Sequence, residues 1–344
     1  MRRLFMWWAI TAVTLGSATF VFANNNLLVG GDMPGPGGTT QSAGGWEIRN
    51  SSGGFVTSGA LWAARRNHCA VKLNTGNIML VGGSVSAGTW EIRNTSGGLV
   101  SNGTLWASRA TDFTCTVLST GNVMIIGGIL SAGTWEIRNT SGGLVSSGSL
   151  WASRYQHTAT LLTNGNVLVV GGGSSTGTYE IRNSSGGLVT SGSSAFSRFL
   201  HCAVRLSNGN VFLAGGNGFA SSWEIRNSSY GLVSNGSLSS SRSAVFTCNL
   251  LLNGNVFLAG GSISPSTWEI RNSAGGLVAN GSLSDTRNGH AAQVQSNTGN
   301  ILITGGSGSP AASTSWELRS SAGALVSSGG LNWTYLAVPT LTEY

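Results

Sequence analysis

The sequence predicts an all-β fold, a seven-bladed β-propeller with four strands per blade. One five-residue motif recurs seven times at a spacing of 44 to 48 residues. Between its copies lie short apolar, partly β-branched runs joined by Asn-Gly or Thr-Gly pairs, the strongest short-range signal for a hairpin. Periods of 20 to 50 residues indicate repeat architectures, and four short strands per repeat favour a propeller blade over a helical solenoid.

The composition agrees with a turn-rich globular domain. The 344 residues include 53 Gly and five Pro, 40% are hydrophobic and only 8% are charged, whereas an average domain has about 25% charged residues. Disordered chains combine low hydrophobicity with high net charge, so this class is excluded. The glycines have no period of three, so collagen is excluded as well.

The first 23 residues have the pattern of a secretory signal peptide. Arg2 and Arg3 precede a long apolar stretch, and Val21 and Ala23 stand at the −3 and −1 positions of a cleavage site. We therefore expect 1–23 to be removed and 24–344 to form the propeller. The protein would then be secreted, or periplasmic in a Gram-negative bacterium. The alternative is an uncleaved N-terminal anchor.

Each repeat has the same internal order, which the third repeat shows clearly. The runs HTATLL and VLVVGG flank Asn164-Gly165, TYEIRN alternates apolar and polar residues as a strand does, and Ser-Ser-Gly-Gly leads into a fourth strand, GLVTSG. The five-residue motif, Trp-Glu-Ile-Arg-Asn, begins the third strand. Its copies start at Trp46, Trp90, Trp135, Tyr179, Trp223, Trp268 and Trp316.

This order resembles the kelch repeat in its bacterial, secreted form. Ser-Arg precedes a first strand that often starts with His, Gly-Gly ends the second strand, and an aromatic-Glu-aliphatic strand follows. The resemblance covers essentially all of 24–344 and implies the four-stranded blade of a propeller. The Gly-Gly pairs begin at Gly30, Gly82, Gly127, Gly171, Gly215, Gly260 and Gly305.

The two ends of the chain predict how the ring closes. The mature N-terminus begins with a second strand, NNLLVGG, and the C-terminus carries a single extra strand at 335–341. We expect the C-terminal strand to join the N-terminal blade as its innermost strand, because interlocked closure leaves no free ring edge. The prediction is six continuous blades and one composite blade.

The four cysteines predict two disulfides between blades. Cys69 and Cys202 directly follow a His, whereas Cys115 and Cys248 lie one position later in their strands. Successive side chains of a strand point to opposite faces, so each shifted cysteine faces back towards the preceding blade. We therefore predict Cys69–Cys115 and Cys202–Cys248, which suits a secreted chain with an even cysteine count. The alternative is four buried thiols that fill small gaps.

Paired charges recur in every repeat. The motif places an Arg two residues after a Glu, on the same strand face, and a further Arg precedes each first strand. A charge repeated in every blade indicates architecture, so we interpret these pairs as a structural Glu–Arg ring, with binding sites for sulfated or acidic glycans as the alternative. The pairs are Glu47–Arg49, Glu91–Arg93, Glu136–Arg138, Glu180–Arg182, Glu224–Arg226, Glu269–Arg271 and Glu317–Arg319.

No repeat departs from the pattern with a catalytic cluster. Asp32, Asp112 and Asp285 are far apart in the ring order, whereas glycoside hydrolysis needs two acids in one cleft. Copper oxidases with a kelch-like propeller use Tyr, His and a Tyr–Cys crosslink, which the tyrosines here do not match. The four His recur at one repeated position, which favours a structural role over a metal site. We predict no enzyme activity, no cofactor and no metal site.

The basic balance does not predict a nucleic-acid partner. The formal net charge is +7 and the isoelectric point is about 9.8. A nucleic-acid footprint is a clustered Lys/Arg patch. Here Lys72 is the single lysine, and the arginines are distributed evenly along the repeats.

Aromatic residues and long loops are the binding candidates. Trp62, Trp106 and Trp151 recur in the first three repeats only, and Asp32 lies in the loop 32–44, which with 307–315 is one of the two longest. The tryptophans are either hydrophobic plugs of the outer strands or platforms for a sugar or partner. We predict a secreted, non-enzymatic module for protein interaction or surface assembly. The alternative is a lectin for neutral glycans, and a third hypothesis is a kelch-like secreted oxidase or hydrolase.

Overall fold

The computed structural model describes residues 25–29, 32–34, 40–42, 44–50, 55–306, 315–330 and 340–343. The predicted signal peptide, 1–23, lies outside these ranges, as do 35–39 and 307–314 of the two long loops and 335–339 of the predicted C-terminal strand. In the described ranges, no helix is long and apolar enough to cross a membrane.

Five of the described strands precede the first continuous blade. They are β1 (Asn25–Val29), β2 (Asp32–Pro34), β3 (Thr40–Ser42), β4 (Gly45–Asn50) and β5 (Phe55–Ala60). Strands β2 and β3 form a separate hairpin between β1 and β4.

Six blades follow, each an antiparallel sheet of four strands that are consecutive in the chain. Their first to fourth strands are β6–β9 in blade 1 (Cys69–Lys72, Ile78–Val81, Thr89–Arg93, Leu99–Thr104), β10–β13 in blade 2 (Phe113–Val117, Val123–Gly127, Thr134–Arg138, Leu144–Ser149), β14–β17 in blade 3 (Thr158–Leu161, Val167–Val170, Thr178–Arg182, Leu188–Ser193), β18–β21 in blade 4 (Cys202–Arg205, Val211–Ala214, Ser222–Arg226, Leu232–Ser237), β22–β25 in blade 5 (Thr247–Leu250, Val256–Ala259, Thr267–Arg271, Leu277–Ser282) and β26–β29 in blade 6 (Ala291–Val294, Ile301–Thr304, Ser315–Arg319, Leu325–Gly330). A short 3₁₀ turn, Ile129–Ser131, follows β11.

The last strand pairs with the first. Strand β30 (Thr340–Glu343) runs antiparallel to β1, with Thr340 opposite Val29 and Leu341 opposite Leu28. A further four-stranded sheet therefore has the order β30-β1-β4-β5, and we call it the composite sheet. The structure thus shows six continuous blades, and the predicted total of seven depends on this composite sheet.

Tight turns join the first and second strands, as the Asn-Gly pairs predict. Gly165 has a φ of +82°, a conformation that glycine adopts without steric cost. Its N–H donates to the carbonyl oxygen of Leu162 at 3.0 Å. The turn reverses the chain, so that β14 and β15 pair along their whole length.

The core consists of layers between blades. All four residues of the second strand β15 are buried, because both faces of the sheet are covered by neighbouring blades. Met79 and Trp90 of blade 1 belong to the same apolar cluster as Phe113 and Ile125 of blade 2. Each blade therefore depends on its neighbours for the burial of its apolar side chains.

The fourth strand of each blade forms the exposed outer edge. In blade 2 Ile137 pairs with Ser146 and Arg138 with Leu144, so Val145 is an extra residue in the ladder, a β-bulge. Leu144 and Val145 are both exposed. The same register shift occurs in the other continuous blades and between β4 and β5.

Candidate functional site

The motif glutamate is a buried acceptor in every continuous blade. Glu180 of blade 3 is fully buried and accepts hydrogen bonds from Arg182 Nε at 2.9 Å and Arg154 Nε at 3.0 Å. The backbone N–H of Trp151, in the linker that enters the blade, donates to the same carboxylate at 3.1 Å. A buried charge is tolerated when it is paired and hydrogen-bonded in this way.

The six described motif pairs have the same arrangement. Their Arg and Glu side chains approach within 2.6 to 3.5 Å of each other and are almost completely buried. The side chains of Glu47 and Arg49 lie outside the described part of the chain. The guanidinium groups that a sulfated or acidic ligand would need are thus buried and already paired with the motif carboxylates.

The arginine of each linker anchors the chain to the blade that it enters. Arg154 is fully buried, and its Nη1 donates to the carbonyl oxygens of Gly171 at 2.7 Å and Thr178 at 3.1 Å. Burial lowers the pKa of the equivalent Arg109 to about 10, and the nearby Glu136 opposes this shift. The linker arginines Arg65, Arg109, Arg154, Arg198, Arg242 and Arg287 all bind the first carbonyl of a Gly-Gly pair in this way.

The motif arginine also reaches the preceding blade. Arg182 donates from Nη2 to the carbonyl oxygen of Ser149 at 2.9 Å and lies 5.7 Å from the ring centroid of Trp135. Gly186, in the turn of blade 3, has a φ of +87°, and a Cβ there would lie 2.0 Å from the Trp135 ring. The motif tryptophan is therefore wedged between its own blade and the next one.

One contact between blades uses a different pair of residues. Tyr179 replaces the motif tryptophan of blade 3, and Tyr230 replaces the turn glycine of blade 4. The two rings stack at 3.9 Å, and the Tyr230 hydroxyl donates to Ser194 Oγ at 2.8 Å. Burial raises the pKa of Tyr230 to about 12. Tyr230 is larger than the usual turn glycine and fills the volume that Tyr179, smaller than the usual tryptophan, leaves empty. The sequence carries a sign of this exchange, because Tyr-Gly stands at 230–231 where the other repeats have Gly-Gly or, in the last repeat, Gly-Ala.

Polar pairs join the first strands of several blades. The ring Nε2 of His157 lies 3.0 Å from Thr114 Oγ1 of the preceding blade, and His201 pairs with Thr158 at 2.9 Å. His290 and Thr247 form the equivalent pair. Burial, with a smaller contribution from nearby arginines, lowers the pKa of His157 to about 3. These histidines are neutral and serve the contacts between blades.

Disulfides replace the His–Thr pairs at two seams, which confirms the predicted pairing. Cys69 joins Cys115 and Cys202 joins Cys248, each with Cα atoms 6.2 Å apart. At both seams the second blade has Phe, Phe113 or Phe246, in place of His. A first strand that has Cys in place of Thr is thus followed, in the next blade, by a first strand that has Phe in place of His.

The tryptophans of the first three linkers are prominent on the surface. Trp62, Trp106 and Trp151 are 47%, 51% and 50% exposed, although their backbone N–H groups are held by Glu91, Glu136 and Glu180. Exposed Val85, Ile129 and Leu130 lie in the loops after the Gly-Gly pairs of blades 1 and 2. The equivalent linker positions further along are Ala195, Ser239 and Ser284.

Asp32, the fourth binding candidate, begins the hairpin strand β2, opposite Ser42. The structure describes its backbone only, and it lies apart in sequence and sheet from the three tryptophans. Among the described residues, no three His, Cys, Asp or Glu side chains form a group that could hold a metal ion.

A ring of residues precedes the first strands, and we call it the collar: Asn67, Asp112, Gln156, Leu200, Val245 and Gly289. All six have a positive φ, from 52° to 66°. Backbone hydrogen bonds link neighbours in the collar, from Gln156 N to Asp112 O at 3.0 Å and from Leu200 N to Gln156 O at 3.1 Å. The repeat pattern of the sequence does not predict the collar, because its six positions share no residue type.

Comparisons with known proteins give the fold but no family. By sequence, the chain matches no protein-family model and no curated protein. A functionally unknown protein from Desulfotomaculum acetoxidans is similar in structure at a TM-score of 0.66, 11% identity, and coverage of 93% of this chain and 99% of that chain. A catalytically inactive variant of virginiamycin B lyase from Staphylococcus aureus, with quinupristin, follows at 0.59, 10% identity, and 81% and 96% coverage. A fungal alcohol oxidase of the AA5 family, in complex with copper, matches at 0.61, 16% identity, and 78% and 66% coverage.

These similarities correct the prediction that the chain is not an enzyme. That prediction came from the regularity of the blades. It is wrong as an inference from the fold, because structurally similar proteins include a lyase and an alcohol oxidase. At these identities the similarity establishes the β-propeller fold alone, and chemistry depends on side chains.

Exchanging the Tyr pair for the common pair tests the fit between blades 3 and 4. Tyr230→Gly leaves a cavity beside Tyr179, and Tyr179→Trp overpacks against Tyr230, so each change should lower the free energy of unfolding by about 2 kcal/mol. The double variant recreates the Trp–Gly contact of the other blades and should recover most of this loss. Chemical denaturation of all four proteins measures the coupling. Additive losses in the double variant would contradict the fit.

The buried histidines predict an acid-sensitive fold. Unfolded His titrates near 6.5, whereas the folded pKa of His157 and His290 is about 3. Between these values the unfolded state binds more protons, so the free energy of unfolding should fall as the pH drops from 6.5 towards 3 and be level with respect to these groups above 6.5. Denaturation curves across this range measure the slope.

A double variant, Thr114→Ala with His157→Phe, should reduce that slope, because one titrating group is removed. Thr114→Ala alone is the control, since it removes the hydrogen bond and keeps the histidine. An unchanged slope in the double variant would show that His157 does not contribute to the acid sensitivity.

Proposed function

We propose that the protein is a secreted, kelch-type propeller that assembles with other copies of itself through the outer edges of its blades. The observation that carries this proposal is the exposed Leu-Val pair at the start of each fourth strand, repeated around the ring. Edge strands with free backbone groups pair readily with other strands, and most proteins protect them with charge, Pro or a covering element.

The outer strands of the continuous blades have the bulge beside the third strand but little other protection of this kind. From LVSNGT in blade 1 to LVSSGG in blade 6, none of the fourth strands contains a charged residue or a proline. Their nearly identical sequences make one edge complementary to another, as an isologous contact between copies requires. Main-chain pairing supplies affinity in this mode, and the exposed Leu and Val side chains supply apolar burial.

A second candidate function is the binding of neutral glycans at the linker face. It is supported by three half-exposed tryptophans on consecutive linkers. The buried glutamates hold the backbone under each of them, so the rings are presented from fixed positions. Several weak sites of one kind on a ring give avidity for a repetitive ligand.

The proposal also includes a closed ring of seven blades, with the composite sheet as the seventh. Strand β30 lies next to β26 of blade 6 and to β6 of blade 1, as the first strands of successive blades do. Its backbone pairing with β1 joins the two ends of the chain.

Secretion with removal of 1–23 is supported by the two disulfides, since disulfides persist in oxidising compartments. N-terminal sequencing of the exported protein should find Asn24 first, and a retained Met1 would contradict cleavage.

Charge on the outer edges should abolish assembly. Lysine in place of the Val of each Leu-Val pair puts like charges at the contact, so the molar mass in solution should fall to that of one chain. Because these valines are already exposed, the fold should persist. Size-exclusion chromatography with light scattering measures this. A wild-type protein that is monomeric, or a variant that assembles unchanged, would contradict the proposal. The substituted positions are Val100, Val145, Val189, Val233, Val278 and Val326.

The matched control adds the same charge at exposed turns between first and second strands, away from the outer edges. It should assemble like the wild type. Its lysines replace Asn74, Ser119, Thr163, Ser207, Leu252 and Asn297, all of which are exposed.

Glycan binding has its own test on the same samples. Under this hypothesis Trp106→Ala and Trp151→Ala should each weaken binding on a glycan array about tenfold, as the loss of about 1.4 kcal/mol of ring contact implies. The melting temperature should change little because both rings are half-exposed. Ile129→Ala, an exposed apolar change on the same face, is the control. Equal binding by all three variants would exclude the tryptophans as the platform.

Ring closure predicts a large effect from a small truncation. A chain that ends at Pro339 lacks β30 and should melt at a clearly lower temperature, because β1 loses one of its two neighbouring strands and the contacts of β30 with β26 of blade 6 and β6 of blade 1 are lost. A chain that lacks Tyr344 alone keeps β30 and serves as the control. Equal melting temperatures for both would contradict closure through β30.

A further inference from the structure

Asp112 differs from every other carboxylate whose side chain the structure describes. Each described motif glutamate lies beside the arginine of its own motif, as Glu136 does with Arg138 at 3.5 Å. Asp285 pairs with Arg287 at 3.4 Å and accepts a hydrogen bond from Ser315. The hydrogen-bond partners of Asp112, in contrast, are neutral side chains. A buried carboxylate without a positive partner is costly.

The environment of Asp112 leaves one oxygen free. The residue is only 2% exposed. Its Oδ2 accepts hydrogen bonds from Thr111 Oγ1 at 3.2 Å and from Gln156 Nε2 of the next blade at 3.5 Å. Its Oδ1 has no hydrogen-bond partner among the described residues. The unused oxygen can therefore accept one more positive or hydrogen-bond-donating group.

The collar places this oxygen in a polar arc. Asn67, Asp112 and Gln156 occupy the collar positions of blades 1 to 3, whereas blades 4 to 6 have Leu200, Val245 and Gly289. The same three linkers that carry a polar collar residue also carry Trp62, Trp106 and Trp151. The linkers of blades 1 to 3 thus differ from those of blades 4 to 6 at both ends. They have a tryptophan near the start and a polar collar residue at the end.

We propose that Asp112 Oδ1 holds a cationic group, either a hard metal ion or an organic ammonium, in the polar arc of the collar. Carboxylate, amide and backbone carbonyl oxygens are the ligands that Ca²⁺ and Mg²⁺ prefer, and the same oxygens accept N–H donors of an ammonium group. Gln156, which contacts Asp112 through its Nε2, and Asn67, the collar residue that precedes Asp112 in chain order, carry side-chain amide oxygens of this kind. Soft transition metals are disfavoured because none of the six collar residues is a Cys or His.

The electrostatics agree with this assignment. Burial raises the pKa of Asp112 to about 6, and the hydrogen bonds from Thr111 and Gln156 only partly oppose the shift. A bound cation would favour the ionised carboxylate and lower this pKa. Protons and the cation should therefore compete for the same oxygen.

Isothermal titration of the purified full chain tests the site. The probes are calcium chloride, magnesium chloride and ethylammonium chloride, each against sodium chloride of equal ionic strength. We expect one of them to bind saturably at one site per chain, and the probe that binds distinguishes a metal ion from an ammonium group. Asp112→Asn should reduce its affinity at least tenfold. The control Asp285→Asn removes an acid of equal charge that already has an arginine partner and should bind like the wild type.

The pH dependence of the wild type gives a second, independent measurement in case Asp112→Asn does not fold. Affinity should fall about tenfold per pH unit below the carboxyl pKa, because one proton displaces the cation. The proposal is overturned if none of the probes binds, if Asp112→Asn binds as tightly as the wild type, or if the affinity is independent of pH between about 7 and 4. In the first case Asp112 is a buried acid that takes up a proton instead.

Discussion

The buried motif glutamate is the interaction on which the arrangement of the blades depends. Its carboxylate accepts the arginine of its own strand, the arginine of the incoming linker and the backbone N–H of that linker, so one side chain fixes a strand and a connection at once. The motif arginine then reaches the outer strand of the preceding blade. Buried ion pairs of this kind add little net stability, because desolvation offsets their attraction. We infer that their main effect is to fix the position of each blade relative to its neighbours.

Contacts across the seams are complementary in pairs, so the blades are similar but not interchangeable. A threonine in one first strand faces a histidine in the next, whereas a cysteine faces a strand that has phenylalanine and a shifted cysteine. A tryptophan faces a turn glycine, whereas Tyr179 faces Tyr230. A blade moved to another position would place a histidine against a cysteine, or a tryptophan against a tyrosine. The order of the blades is therefore specified by local packing, although the sequences are nearly repeated.

Much of the architecture follows from short-range rules that a single sequence obeys. The Asn-Gly pairs define the hairpins, and the alternation of side chains along a strand was sufficient to predict both cysteine pairs. The exposure of the Leu-Val pairs was not predicted, because it arises from a bulge, and an alternating pattern gives no sign of an extra residue. The sequence shows Asp112 only as an isolated acid, because the residue that contacts it, Gln156, is 44 residues away in the chain. The prediction of no enzyme activity came from the regularity of the blades. Regular blades define the scaffold, but they do not show which residues act on a ligand.

Function on a repeated scaffold has to come either from the repeat itself or from departures from it. The proposed self-assembly through the outer edges belongs to the first kind, because every continuous blade presents a similar uncharged outer strand. The linkers of blades 1 to 3 belong to the second kind, because they combine an exposed tryptophan at one end with a polar collar residue at the other. Equivalent buried glutamates hold both kinds of linker, Glu136 at Trp106 and Glu269 at Ser239. Substitutions of the exposed linker tryptophans are thereby separated from stability, because the glutamates bind the backbone there and not the ring.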